Sequence, residues 1–145
     1  MKKLFFICLF FTGLTAKANP LVHGEWTGYV LVGETKLRST LYISDDNDNG
    51  DITADIVMNY TYTDGKIYSC KAHCSGHIDY KKYDFTLVME EFVYFDLLPE
   101  GMKWCLGTMS CSIRREMTVK QYVLLGRMTN KCMPGESSLI MIKRQ

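Results

Sequence analysis

An all-β fold, a single eight-stranded up-and-down antiparallel barrel, is what three features of this sequence predict. Runs rich in Val, Ile, Thr, Tyr and Phe alternate apolar with polar residues, the period of two that a half-buried strand requires. Polar turn residues separate the runs. The connections are short, so each run must pair antiparallel with the next. Eight strands wound in that order can close on themselves, which removes the exposed edges.

The first run lies near Gly24–Val32 and the second near Leu37–Ser44, where Leu37, Leu41 and Ile43 share a face. The third, Ile52–Tyr62, sets Ile52, Ala54, Ile56, Met58, Tyr60 and Tyr62 against Asp51, Thr53, Asp55 and Asn59. The fourth spans Ile67–Tyr80. The fifth, Tyr83–Phe95, puts Tyr83, Phe85, Leu87 and Met89 together before Glu90-Glu91 breaks the alternation, as a bulge or a strand end would. The last three lie near Met102–Ile113, Val119–Met128 and Ser138–Lys143. Between them, Asp45–Gly50 is a polar loop and Thr63-Asp64-Gly65-Lys66 carries the Asp-Gly hairpin signal. Leu98-Pro99-Glu100-Gly101 and Met133-Pro134-Gly135-Glu136 are Pro–Gly turns.

Ahead of the first strand, residues 1–18 read as a secretory signal. Lys2 and Lys3 precede an apolar stretch from Leu4 to Leu14, too short to span a bilayer, and Ala16-Lys17-Ala18 supplies the small-x-small cleavage pattern. Cleavage after Ala18 would leave residues 19–145 as one domain in the periplasm or outside the cell. It would remove three lysines and no acid, taking the formal charge from +1 to −2. That balance argues against nucleic acid as a partner. No second long apolar run predicts a membrane span. Five cysteines follow the signal: Cys70, Cys74, Cys105, Cys111 and Cys132. An exported chain is expected to use them in disulfides, and an odd number leaves at least one outside any bridge within the chain. The first expected bridge is Cys105–Cys132, and the second joins Cys111 to Cys70 or Cys74.

Gly24-Glu25-Trp26 on the first strand, with Lys143 and Arg144 ending the last, resembles the lipocalin-like (calycin) small β-barrels. The resemblance implies that Trp26 plugs one barrel end, with Lys143 or Arg144 packed over its ring. Trp104-Cys105 followed by Cys132-Met133-Pro134-Gly135 is also similar to uncharacterised exported bacterial domains. Neither resemblance implies a particular activity.

Several clusters bear on chemistry. Cys70, His73, Cys74 and His77 would chelate zinc only if the backbone turned. On an extended strand Cys70 and Cys74 lie about 13 Å apart on one face, with His73 on the other, so no metal is expected. Asp45-x-Asn47-x-Asn49-Gly50 matches half of a calcium loop, but the twelfth position is Ile56 instead of a bidentate Glu. Glu90 and Glu91, as strand neighbours, point to opposite faces and form no acid–base pair. His23, His73 and His77 have no nucleophile motif around them, and no phosphate-binding glycine loop occurs. The chain is therefore expected to be no enzyme and to carry no cofactor. The inner faces suggest an exported binding barrel holding a small apolar molecule, with Tyr60, Met58, Tyr83, Phe85 and Met89 as lining candidates. The alternative is a protein-interaction module or inhibitor, for which Tyr29 and Tyr94 are candidate interface residues.

Overall fold

The computed structural model describes residues 19–44, 49–132 and 134–145; the signal-peptide prediction and Asp45 to Asp48 fall outside them. Eight antiparallel strands follow one another: β1 (Gly24–Val32), β2 (Thr35–Ser44), β3 (Asp51–Thr61), β4 (Ile67–Asp79), β5 (Asp84–Phe95), β6 (Gly107–Glu116), β7 (Gln121–Asn130) and β8 (Glu136–Lys143). Each pairs with the next, and β8 pairs back onto β1, so the barrel is closed in up-and-down order. The predicted all-β eight-stranded fold is the fold observed.

The alternation read from the sequence sets the two faces. Inward residues include Trp26 and Val30 on β1, Leu41 and Ile43 on β2, Ile52 to Met58 at every second position on β3, and Leu87 and Met89 on β5. Between these inward positions stand polar residues such as Asp51, Asp55, Lys71 and His77, which face outward. The barrel closes at a tight seam: a Cβ on Gly28 would lie 2.0 Å from the Ile140 carbonyl oxygen, so only glycine lets β1 and β8 approach this closely.

One boundary differs from the prediction. The sixth strand begins at Gly107, not near Met102, and residues 102–106 are not strand. The cause lies in β5. Its register with β4 shifts twice, skipping Glu90 and Val93, so the disturbance expected from Glu90-Glu91 is a double bulge within a continuing strand. On its other side β5 pairs with β6 only from Asp84 to Val88. Beyond Val88, β5 runs on to Phe95 paired to β4 alone, so residues 102–106 have no strand to join. They are held instead by the Trp104 indole, which donates to the Asp96 carbonyl (2.9 Å), and by the disulfide.

Candidate functional site

The barrel interior is filled. Met89 and Leu87 lie within a core that also holds Trp26, Val30, Leu41, Ile56, Cys70, Ala72, Cys74, Met109 and Leu124, and these have 0% of their surface open to a water-sized sphere. A void large enough for one water would leave measurable open surface on its walls, so none adjoins these side chains. Of the five lining candidates, Met58, Phe85 and Met89 are part of this packing. Tyr60 is half-buried at the end of β3, edge-on to Tyr62 at 6.2 Å. Tyr83 is half-buried in the turn before β5, with its backbone in the left-handed region (φ 56°).

Cys105 and Cys132 form a disulfide, tying the segment before β6 to the connection between β7 and β8. Closing a loop of sequence separation 27 contributes about 3.5 kcal/mol. Cys70, Cys74 and Cys111 are free thiols, all buried and facing the core, and burial pushes each from an ordinary value of 9.0 up to about 12. Two outcomes are expected. In the native protein at pH 8 these three resist iodoacetamide, whereas in denaturant all three are alkylated, as peptide mass spectrometry would read. Stability is constant in these groups below pH 9 and falls as pH rises toward 12, because the unfolded chain releases protons that the folded chain retains. Each thiol contributes a slope of about 1.4 kcal/mol per pH unit over that window.

The four metal-ligand candidates are separated by the sheet, with Cys70 and Cys74 inside and His73 and His77 outside. Among the described residues no group of three or more His, Cys, Asp or Glu side chains is arranged to hold a metal ion. Of the half calcium loop only Asn49 and Gly50 are described; the Asn49 side chain accepts from the Asp51 amide (2.9 Å), an ordinary turn bond.

Each outward histidine meets a carboxylate across the β3–β4 ladder. His73 Nδ1 lies 3.0 Å from Asp55 and His77 Nδ1 lies 3.1 Å from Asp51. The His73 hydrogen bond is the main reason that the Asp55 carboxyl sits below its usual range, with Lys71 (2.9 Å) adding to it against partial desolvation. These pairs supply a base and its orienting acid, but no described hydroxyl or thiol joins them. Ser75, between the two on the same face, hydrogen-bonds to Glu90 instead. The hairpin turn at Asp64-Gly65 determines both pairings: with Thr61 opposite Ile67, counting outward brings Asp55 opposite His73 and Asp51 opposite His77. The sequence therefore contained this signal.

At one end of the barrel Trp26 is fully buried and donates its indole N–H to the Val22 carbonyl (3.1 Å). Lys143 Nζ lies 5.5 Å from the ring centroid, and Lys143 also donates to the Pro20 carbonyl. Arg144 is not over the ring; it pairs with Glu25 at 3.0 Å. The opposite end carries the feature that sequence reading missed. There β5 leaves β6, and a groove of about 200 Å³ lies along its far end, lined by Phe92, Phe95, Leu97, Leu98, Met102 and Trp104 among others. Phe92 and Phe95 meet edge to face at 5.6 Å. Val93 (57%), Phe95 (53%) and Leu97 (84%) are strongly exposed. Tyr94 is exposed here as well, whereas the other candidate interface residue, Tyr29, is exposed on β1 across the barrel, so the two form no common surface. Among the described residues no backbone hydrogen bond joins Met89–Phe95 to residues 97–106. The far end of β5 thus presents an unpaired strand edge beside an apolar groove. No family model, curated protein or solved structure matches the chain.

Proposed function

We propose that this chain is an exported, non-enzymatic interaction module that takes an extended segment of a protein partner onto the free edge of β5. The observation that carries this reading is that β5 continues from Met89 to Phe95 with one edge paired to β4 and the other unpaired. A free edge offers a row of backbone donors and acceptors, and strand addition is a common way of recognising extended peptides. The adjoining groove supplies affinity for apolar side chains. Glu90, Glu91 and Asp96 outnumber Lys103, the cation of the groove lining, along the same stretch, which favours a partner strand with basic residues. The two bulges and the glutamates also disfavour pairing with a second copy of this acidic edge. The filled interior supports recognition on the surface over a ligand held inside. The apolar core and the charged outward residues of β3 and β4 favour water over lipid around the barrel, since a membrane-spanning barrel turns its apolar side outward. Export rests on the signal-like residues 1–18.

The test uses two synthetic peptides of alternating valine with lysine or with glutamate, followed by amide chemical shifts of the protein. The Val-Lys peptide should shift the amides of Met89–Phe95, and the Val-Glu peptide should shift them at least tenfold less at equal concentration. Blocking alternate amides of the Val-Lys peptide by N-methylation should abolish the effect. Absence of shifts along β5, or equal response to both peptides, would overturn the reading.

A further inference from the structure

We propose that the Trp26 end of the barrel is a second binding site, one for a small aromatic anion, independent of the β5 edge at the other end. A bowl of about 630 Å³ opens there, within the size range of small-molecule sites, and Leu21, Tyr83, Lys120, Tyr122, Lys143 and Arg144 line it. Its lining holds three cationic side chains and no acidic one. Arg144 reaches sideways to Glu25, Lys143 is oriented by the Pro20 carbonyl and the Trp26 ring, and Lys120 makes no ion pair among the described residues. Arg144 has Glu25 as its counter-ion, but no described acidic side chain offsets Lys120 and Lys143 in this concave place, which suits an anionic group. The two tyrosine rings and Leu21 suit a flat apolar body.

Backbone conformation points to the same place from a different direction. Tyr83 (φ 56°) and Lys120 (φ 52°) are the two non-glycine residues with positive φ among the described residues, and both line this bowl. They sit in the turns before β5 and before β7. Elsewhere positive φ falls on glycine, at Gly24 and Gly50 at this end of the barrel and at Gly33, Gly65, Gly101 and Gly135 at the other, where it brings no strain. At the bowl the chain accepts strained backbone to place a phenol and an ammonium where glycine would be the easier residue. Strain of this kind concentrates at binding sites because the side chain is needed there.

This reading sets stability against binding. Lys120→Gly should raise the melting temperature by relieving strain, yet weaken ligand binding, whereas Tyr83→Gly also removes a ring packed against the core and should lower both. The probe is anilinonaphthalene sulfonate, an aromatic anion, compared with its uncharged relative N-phenylnaphthylamine, both titrated by fluorescence into the purified protein. Lys120→Gln serves as a variant that keeps the backbone strain and removes the charge. The expected result is saturable binding of the sulfonate at one site, roughly tenfold weaker in Lys120→Gln and in both glycine variants, with Lys120→Gly melting at or above the unaltered protein. Added salt should weaken sulfonate binding while leaving the neutral dye unaffected. Equal affinity for the two dyes, sulfonate binding unchanged by Lys120→Gln, or no saturable binding would overturn the proposal. Its failure would leave the β5 edge untouched, because the peptide titration reads amides at the opposite end.

Discussion

Gly28→Ala is expected to destabilise the barrel by about 3 kcal/mol or more. The added Cβ would lie 2.0 Å from the Ile140 carbonyl oxygen and 2.7 Å from the Met141 Cα. Both obstacles are backbone atoms, so no rotamer change relieves the clash. The obstacle is also on β8, the strand that closes the barrel against β1. The β1–β8 ladder joins the two ends of the chain and repays its loop-closure entropy only when it forms in full. Pushing the two strands apart at Gly28 therefore weakens closure itself. Gly33→Ala is the informative control. Gly33 has positive φ (59°) but nothing within 4 Å of an added Cβ, so only the dihedral cost of about 1–2 kcal/mol applies. Urea unfolding of the two variants should separate them clearly, with Gly28→Ala the worse. Equal effects would mean that the seam tolerates separation.

Trp26→Ala is expected to cost about 3–5 kcal/mol. The indole is fully buried at the barrel floor and is the largest side chain in the core. Its removal leaves a cavity beneath the chain entering β1 and strips the Val22 carbonyl of its indole donor. Val22 is itself fully buried, so the short segment from Asn19 to Val22 loses its anchor with the ring. Trp26→Phe keeps most of the apolar volume and loses the hydrogen bond, so a smaller loss of about 1–2 kcal/mol is expected. Lys143→Gln should cost less than 1 kcal/mol if the cation over the ring acts mainly through its charge. Chemical denaturation orders the three variants. A Trp26→Ala protein as stable as Trp26→Phe would show that the floor is not packed as described.

Most of the architecture was legible because strand alternation and turn chemistry are local properties. Leu41 and Ile43 on β2, Ile52, Ala54, Ile56 and Met58 on β3, and the inward thiols of β4 all follow from a period of two. So does the split of the Cys70–His77 cluster across the sheet. The Glu90-Glu91 doublet signalled the break in β5 for the same reason. The start of β6 was not legible, because it depends on β5 departing at Val88, a tertiary event. Residues 102–106 have strand-like composition and no partner. The apolar groove was hidden by the same fact. Phe92, Phe95 and Trp104 read as ordinary strand residues, and only the divergence of β5 from β6 leaves them at the surface. The bowl at the Trp26 end was hidden for another reason: Tyr83 and Lys120 mark themselves only through backbone dihedrals, which alternation does not report. The two histidine–carboxylate pairs were within reach of the sequence, once the Asp64-Gly65 turn was used to count the register outward.

Amide hydrogen exchange along β5 tests the central claim most directly. The amides of Phe85 and Leu87 lie where β5 is paired on both sides and should exchange only through global opening. Between Met89 and Phe95, the amides that point away from β4 should exchange at rates near those of an unstructured peptide. Fast exchange at those positions, beside slow exchange at Phe85 and Leu87, is the expected result and leaves a strand edge open for a partner. Slow exchange throughout Met89–Phe95 in the isolated protein would mean that the edge is already covered, and recognition by strand addition there would be contradicted.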